Sequence, residues 1–170
     1  LAERAKPELQ GPEQGDWLDR LEADHENFRV ALEWTLERPG DADLALRLAV
    51  ALRPYWQTRG YLTEGRNWLE QALAAGPNTT SASHAEALYG LGRIAFDLGD
   101  YTRAQQLFAQ SLDARRALGD RRGIAESLTN LGFAVATLDG PTRARSLHEE
   151  ALAIWRELGD NLGIASSLFR

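Results

Sequence analysis

Apolar residues recur along this chain every three or four positions, the spacing that lines one face of an α-helix, and no segment alternates strictly as a half-buried strand would. The pattern predicts helices near 15–37, 42–59, 62–75, 81–98, 101–118, 121–138, 141–158 and 161–170, with a stub over 1–9 ended by Gly11-Pro12. Gly99-Asp100, Gly119-Asp120 and Gly159-Asp160 each offer a glycine that can end a helix left-handed and an Asp that can cap the next. Gly140-Pro141 places Pro at a first helical position. Turns this short make consecutive helices antiparallel. Pro54 falls inside the 42–59 segment and is expected to kink it. The turn-rich stretch from Gly76 to Ser83 reads as a linker.

The second half nearly repeats itself. Laid over 125–164, residues 85–124 are identical at 17 of 40 positions, where ordinary composition would give about three by chance. A period near 40 belongs to stacked helical hairpins, in which one unit cannot bury its apolar face without its neighbours. The fold class expected is therefore all-α, a right-handed superhelical stack of antiparallel helical hairpins. Gly92 with Ala104, and Gly132 with Ala144, are expected at the helix crossings, where small side chains let backbones approach. Leu88, Leu91, Leu98, Leu107, Leu112 and Leu118 supply the apolar stripe, repeated at Leu128, Leu131, Leu138, Leu147, Leu152 and Leu158.

With 170 residues, 44% hydrophobic and 26% charged, the chain can fold as one elongated repeat domain. Its apolar runs are too short for a membrane span, and cytoplasmic residence is expected. A net charge of −6 argues against this segment gripping nucleic-acid phosphates. The absence of cysteine removes disulfides and thiolate metal sites. Leu1 and Arg170 give the chain the look of a piece of something longer.

Leu88, Leu91-Gly92, Tyr101, Ala104 and Phe108 match the spacing of the tetratricopeptide repeat in its longer form. The next copy has Leu128, Leu131-Gly132, Ala144 and Ala151, with Pro141 and His148 in the places of Tyr101 and Phe108. This resemblance implies a helical cap over 1–40, a divergent unit over 41–76 with Gly60-Tyr61 and Gly65, full units over 84–120 and 121–160, and the start of another over 161–170. A second resemblance covers the first 75 residues. The run Trp17-Leu18-Asp19-Arg20-Leu21-Glu22-Ala23-Asp24-His25-Glu26-Asn27-Phe28-Arg29-Val30-Ala31-Leu32-Glu33-Trp34 is similar to a segment of LuxR-type and AfsR-like regulators of the signal-transduction (STAND) ATPase class. Glu64-Gly65-Arg66-Asn67-Trp68-Leu69-Glu70-Gln71-Ala72-Leu73 resembles the stretch that follows it there. The resemblance implies a sensor array of a bacterial transcriptional regulator, with an ATPase module before the repeats and a DNA-binding domain at one end.

Catalysis finds little support. Asp24, His25 and Glu26 are adjacent on a helix, so they point about 100° apart and read as a solvated face. His25, His84 and His148 lack metal-ligand spacing, and no cofactor is expected. Asn78-Thr79-Thr80 matches a glycosylation pattern that a cytoplasmic protein would not use. The five tryptophans, at helical spacing among Leu and Ala, read as core. In tetratricopeptide arrays the first helix of each hairpin lines a concave surface. The resemblance thus implies a groove for a peptide, for a partner protein or for other domains of the parent chain. Its walls would be Glu86, Tyr89, Arg93, Phe96 and Asp97 in one unit, and Glu126, Thr129, Asn130, Phe133 and Thr137 in the next. Arg and Asn can bond peptide carbonyls while Phe and Tyr cover apolar groups. Phe96 and Phe133 either face that groove or pack between hairpins. Self-association through Leu162, Ile164, Leu168 and Phe169 is a further expectation.

Overall fold

The computed structural model describes residues 1–38, 40–76 and 81–168. Regular structure among them is helical throughout: α1 (Ala2–Glu8), α2 (Gln14–Ala23), α3 (His25–Leu36), α4 (Ala42–Arg59), α5 (Leu62–Ala75), α6 (Ala82–Asp97), α7 (Tyr101–Leu118), α8 (Arg121–Asp139), α9 (Pro141–Leu158) and α10 (Asn161–Leu168). The all-α repeat expected from the apolar pattern is what the chain forms. Asn78-Thr79-Thr80, and Phe169 of the expected self-association face, lie outside the described residues. The chain divides into two compact units, Leu1–Thr79 and Thr80–Arg170.

In the first unit α1, α3 and α5 all pack on α4. Its core holds Leu21, Leu32, Leu52, Tyr55, Trp56 and Leu69, each almost fully buried. The single helix expected over 15–37 is instead two. The chain breaks at Asp24, whose φ of −99° and ψ of 8° leave the helical region. Its carboxylate accepts a hydrogen bond from Asn27 Nδ2 at 2.8 Å, the local bonding by which Asp competes with a helical backbone. α4 runs through Pro54 to Arg59 without ending there, and Thr58 Oγ1 donates to the Pro54 carbonyl at 2.9 Å. Not every tryptophan is core: Trp17, Trp56 and Trp155 are buried, but Trp34 is 48% exposed with the Arg38 guanidinium stacked on its ring.

The second unit is α6 to α10, each helix packed on the next, with α8 also against α6 and α10 also against α8. That next-but-one contact is how a hairpin array shares one core. The joints form as their residues predict. Gly99, Gly119 and Gly159 have φ of 82°, 68° and 67°. The N–H of each following Asp reaches back to a carbonyl five residues earlier: Asp100 to Ala95, Asp120 to Arg115, Asp160 to Trp155. The carboxylates then accept from the N–H groups of Arg103, Gly123 and Gly163 at 3.0, 3.0 and 2.9 Å.

The crossings differ from expectation in their partners. A side chain at Gly92 would meet the Phe108 ring at 2.8 Å and Leu107 Cβ at 3.3 Å, so the ring of Phe108, more than Ala104, is what the glycine admits. Gly132 repeats this with His148, whose ring a Cβ would meet at 2.6 Å. The apolar stripe is also shorter than expected. Leu98, Leu118, Leu138 and Leu158 lie at the C-terminal ends of α6 to α9 and stay about two-fifths exposed, while Leu88, Leu91, Leu107, Leu112, Leu128 and Leu131 are buried.

Gly92→Ala is expected to destabilise the protein by about 1–3 kcal/mol through overpacking. Phe108→Leu added to it should recover part of the loss, because the ring is the obstacle; urea unfolding of both variants measures this.

Candidate functional site

On α6, Glu86, Tyr89, Arg93, Phe96 and Asp97 fall three, seven, ten and eleven residues apart from the first, so they share one side of the helix. On α8, Glu126, Thr129, Asn130, Phe133 and Thr137 fall three, four, seven and eleven residues from the first, and α8 lies against α6. The structure joins the two rows. Arg93 Nη1 donates to Asn130 Oδ1 at 2.8 Å, and Asn130 Nδ2 donates to Tyr89 Oη at 3.0 Å and to the Glu126 carbonyl at 2.9 Å. Both amide hydrogens of Asn130 are thereby used. Arg93 keeps N–H groups directed elsewhere and is only half-buried, which makes it the donor that a ligand could reach.

Beneath this face lies a residue that sequence reasoning missed. Arg115 of α7 is 2% exposed. Its guanidinium donates to the Gly123 carbonyl at 2.8 Å, to Glu126 Oε2 at 3.1 Å, to Ser127 Oγ at 3.2 Å and to Glu86 Oε2. The same group lies 4.6 Å from the centre of the Tyr89 ring. Ser111 Oγ extends the network to the Ala85 carbonyl at 2.9 Å and Ser127 Oγ at 3.2 Å. One buried cation thus ties α6, α7 and α8 together and fixes Glu86, Tyr89 and Glu126. Arg115-Arg116 in a last helical turn looks like an ordinary solvated pair favourable to the helix dipole. The available signal was the repeat itself, which puts Trp155 where Arg115 stands.

The other candidates separate. Thr129 does not face outward; it is 3% exposed, its hydroxyl donating to the Ala125 carbonyl at 2.8 Å and accepting from Trp155 Nε1 at 3.2 Å. Its burial follows from Trp155 filling the Arg115 position with an indole that needs an acceptor. Phe96 packs edge-on against Tyr101 at 5.1 Å, and Phe133 edge-on against His148 at 5.1 Å. Both phenylalanines remain half-exposed. Thr137 and Asp97 are exposed at the C-terminal end of the face.

The first unit holds a second polar cluster. His25, expected on a solvated face, is instead largely buried because the break at Asp24 sets it at the start of α3 facing α4 and α5. Its Nδ1 lies 2.7 Å from Tyr55 Oη, and its Nε2 lies 3.3 Å from Glu64 Oε2. Tyr55 and Tyr61 both donate to Glu22, at 3.0 and 2.7 Å, and these bonds hold the Glu22 carboxyl below the usual range, Tyr61 contributing most. Arg29 binds both oxygens of Glu64 at 2.8 Å and holds that carboxyl low as well. These bonds clasp α2, α3, α4 and α5 together.

Burial raises the Glu126 carboxyl above its ordinary value, against the lowering pull of Arg115. A raised folded-state value means that this group's stabilising contribution is present at low pH and is lost as pH rises through that value. Glu126→Gln is therefore expected to match or exceed wild-type stability at pH 7 and to lose that advantage near pH 4, as followed by thermal unfolding across pH. Arg115→Leu should cost about 3–5 kcal/mol at neutral pH, because it leaves Glu86 and Glu126 without their counter-charge.

The comparisons with known proteins bear on the same region. The crystal structure of BtubC (BKLC) from P. vanneervenii aligns with a TM-score of 0.68, covering 92% of this chain and 72% of that one at 20% sequence identity. At that identity the likeness carries the fold alone. No curated protein matches the chain. Residues 83–157, spanning α6 to α9, match the family model described as tetratricopeptide repeat.

Proposed function

We propose that the α6–α8 face recognises an extended segment of a partner protein and that the chain acts without catalysis, as an interaction scaffold. The observation that carries this reading is the Arg93–Asn130–Tyr89 chain: a half-exposed guanidinium already oriented by a neighbouring helix. A pre-oriented donor loses little freedom on binding, so more of its hydrogen-bond energy appears as affinity. Phe96 and Phe133, half-exposed on the same face, offer apolar cover beside it. The other predicted wall residues, Glu86, Tyr89 and Glu126, serve this face by shaping it through Arg115.

The finer reading is that the array is the signal-recognition part of a larger bacterial regulator with an ATPase domain, located in the cytoplasm. It is supported by the similarity of residues 17–34 and 64–73 to such regulators. Of the residues quoted there, His25, Arg29, Glu64 and Trp68 are brought together by α3 and α5 in the clasp described above. No helix among the described residues is long and apolar enough to cross a membrane. A partner that favours one arrangement of the array would bias the attached ATPase by its differential affinity. A general adaptor with no ATPase attached is the alternative reading; it is favoured if the parent sequence carries no Gly-Lys-Ser/Thr phosphate loop.

Arg93→Ala with Asn130→Ala is expected to weaken capture of the partner at least tenfold while leaving the helical circular-dichroism signal intact. Leu118→Ala, on an exposed position away from this face, should leave capture as in wild type. Equal capture by all three proteins would overturn the assignment of the face.

A further inference from the structure

We propose that the first unit carries a proton-operated latch: one proton taken up on His25 fastens α2 to the helices beside it. Four side chains stand in a row, Glu22 of α2, Tyr55 of α4, His25 of α3 and Glu64 of α5. Their polar atoms meet across three gaps: 3.0 Å from Glu22 Oε2 to Tyr55 Oη, 2.7 Å from Tyr55 Oη to His25 Nδ1, and 3.3 Å from His25 Nε2 to Glu64 Oε2. Both ends of the row are carboxylates held below the usual range, Glu22 chiefly by Tyr61 and Glu64 chiefly by Arg29. An ionised carboxylate only accepts, so each gap has to be filled by a proton of the phenol or of the imidazole. A phenol and a neutral imidazole hold two such protons between them. Three gaps need three, and the imidazolium supplies the third.

Without that proton the row has to give at one place, and burial decides which. Tyr55 is fully buried and His25 and Glu64 largely so, whereas Glu22 is exposed. A break inside the row would strand a buried polar atom, but a break at Glu22 lets water replace the phenol. With a neutral ring, Nε2–H stays on Glu64, Tyr55 turns its proton to Nδ1, and Glu22 loses a donor. α2 is then held there by Tyr61 Oη at 2.7 Å and by Arg59, whose Nε lies 3.5 Å from Glu22. Burial, and after it the bond to Glu22, push the Tyr55 phenol up, so Tyr55 keeps its own proton and is not the group that switches. The titratable and charged groups around the ring are Glu22 from α2, Arg29 with its partner Glu26 from α3, Tyr55 and Arg59 from α4, and Tyr61 and Glu64 at the head of α5. Among side chains, imidazole is the one that ordinarily changes charge close to neutrality. The row uses its third proton only when the helices are in place, so the latch stabilises the unit on the acid side of neutrality and lets go as pH rises. Far lower pH undoes it from the other side, by protonating Glu22 and Glu64. The latch lies within the first unit and does not rest on the α6–α8 face.

Thermal unfolding of the wild type, His25→Gln and Tyr55→Phe, each at about pH 6 and about pH 8, tests the latch. Over that interval the wild type should lose about 3–6 °C more of its melting temperature than His25→Gln. His84 and His148 lie in the second unit of all three proteins, so the comparison cancels them. Tyr55→Phe keeps the His25–Glu64 pair but removes the middle of the row, and it should behave like His25→Gln. Nuclear magnetic resonance on the histidine-labelled chain reads the ring directly. At about pH 6 the His25 ring should give two slowly exchanging N–H signals, identified by their loss in His25→Gln, and at about pH 8 only one. An equal loss of melting temperature in the wild type and His25→Gln overturns the proposal, as does a single ring N–H at the lower pH. Retention of the full wild-type loss in Tyr55→Phe would assign the proton to the His25–Glu64 pair alone, and that too overturns a latch on α2.

Discussion

The fold depends on a joint of two residues. At Gly99-Asp100, Gly119-Asp120 and Gly159-Asp160 the glycine turns left-handed, the aspartate N–H closes the helix behind it, and the aspartate carboxylate opens the helix ahead. One short segment thereby satisfies backbone groups at two helix ends that would otherwise face solvent unpaired. Because the joint is so short, each helix has no choice but to fold back along its predecessor. Apolar stripes on the two helices then meet, and glycines at 92 and 132 let a ring from the partner helix settle against bare backbone. Packing, in this unit, is a consequence of connection.

The interior that results is not uniformly greasy. Arg115 sits where burial would be prohibitive for an unaccompanied cation, and the structure surrounds it with Glu86, Glu126, two hydroxyl-linked serines and a backbone carbonyl. These partners come from three helices, so the charge can be accommodated only when α6, α7 and α8 are all in place. The exposed donors above it inherit that order: Asn130 is held by Tyr89, whose ring lies over the same guanidinium. What makes the outer face a defined surface is therefore the ion beneath it. In the first unit the Glu22–Tyr55–His25–Glu64–Arg29 chain binds helices by a similar principle, with carboxylates held ionised by phenol and guanidinium donors.

Much of this was legible from residue order alone. Helix extents from α4 to α9 follow directly from apolar spacing and from the Gly-Asp and Gly-Pro punctuation, since those signals are local. The rows of Glu86, Tyr89, Arg93, Glu126 and Asn130 were also legible, because helical periodicity fixes which positions share a side. What could not be read were choices settled by contacts between distant residues. The break at Asp24 turns on a side chain bonding Asn27 instead of letting a helix continue, and nothing in the periodicity distinguishes the two. The burial of His25 and Arg115 depends on carboxylates 39 and 29 residues away in sequence, at Glu64 and Glu86. Thr129 was misplaced for the same reason: its neighbour Trp155 comes from the next helix along.

The exchange of Arg115 for Trp155 between otherwise matching hairpins has a consequence for how the array assembles. Two copies that agree at 17 of 40 positions could trade places or slip by one full unit during folding, since their backbones are interchangeable. Their interiors are not. A guanidinium in the indole's seat would face Thr129 in place of two carboxylates, and an indole in the guanidinium's seat would strand Glu86 and Glu126 without a counter-ion. Each wrong pairing leaves charges buried alone, so the chemistry at this one position labels each hairpin with its own address.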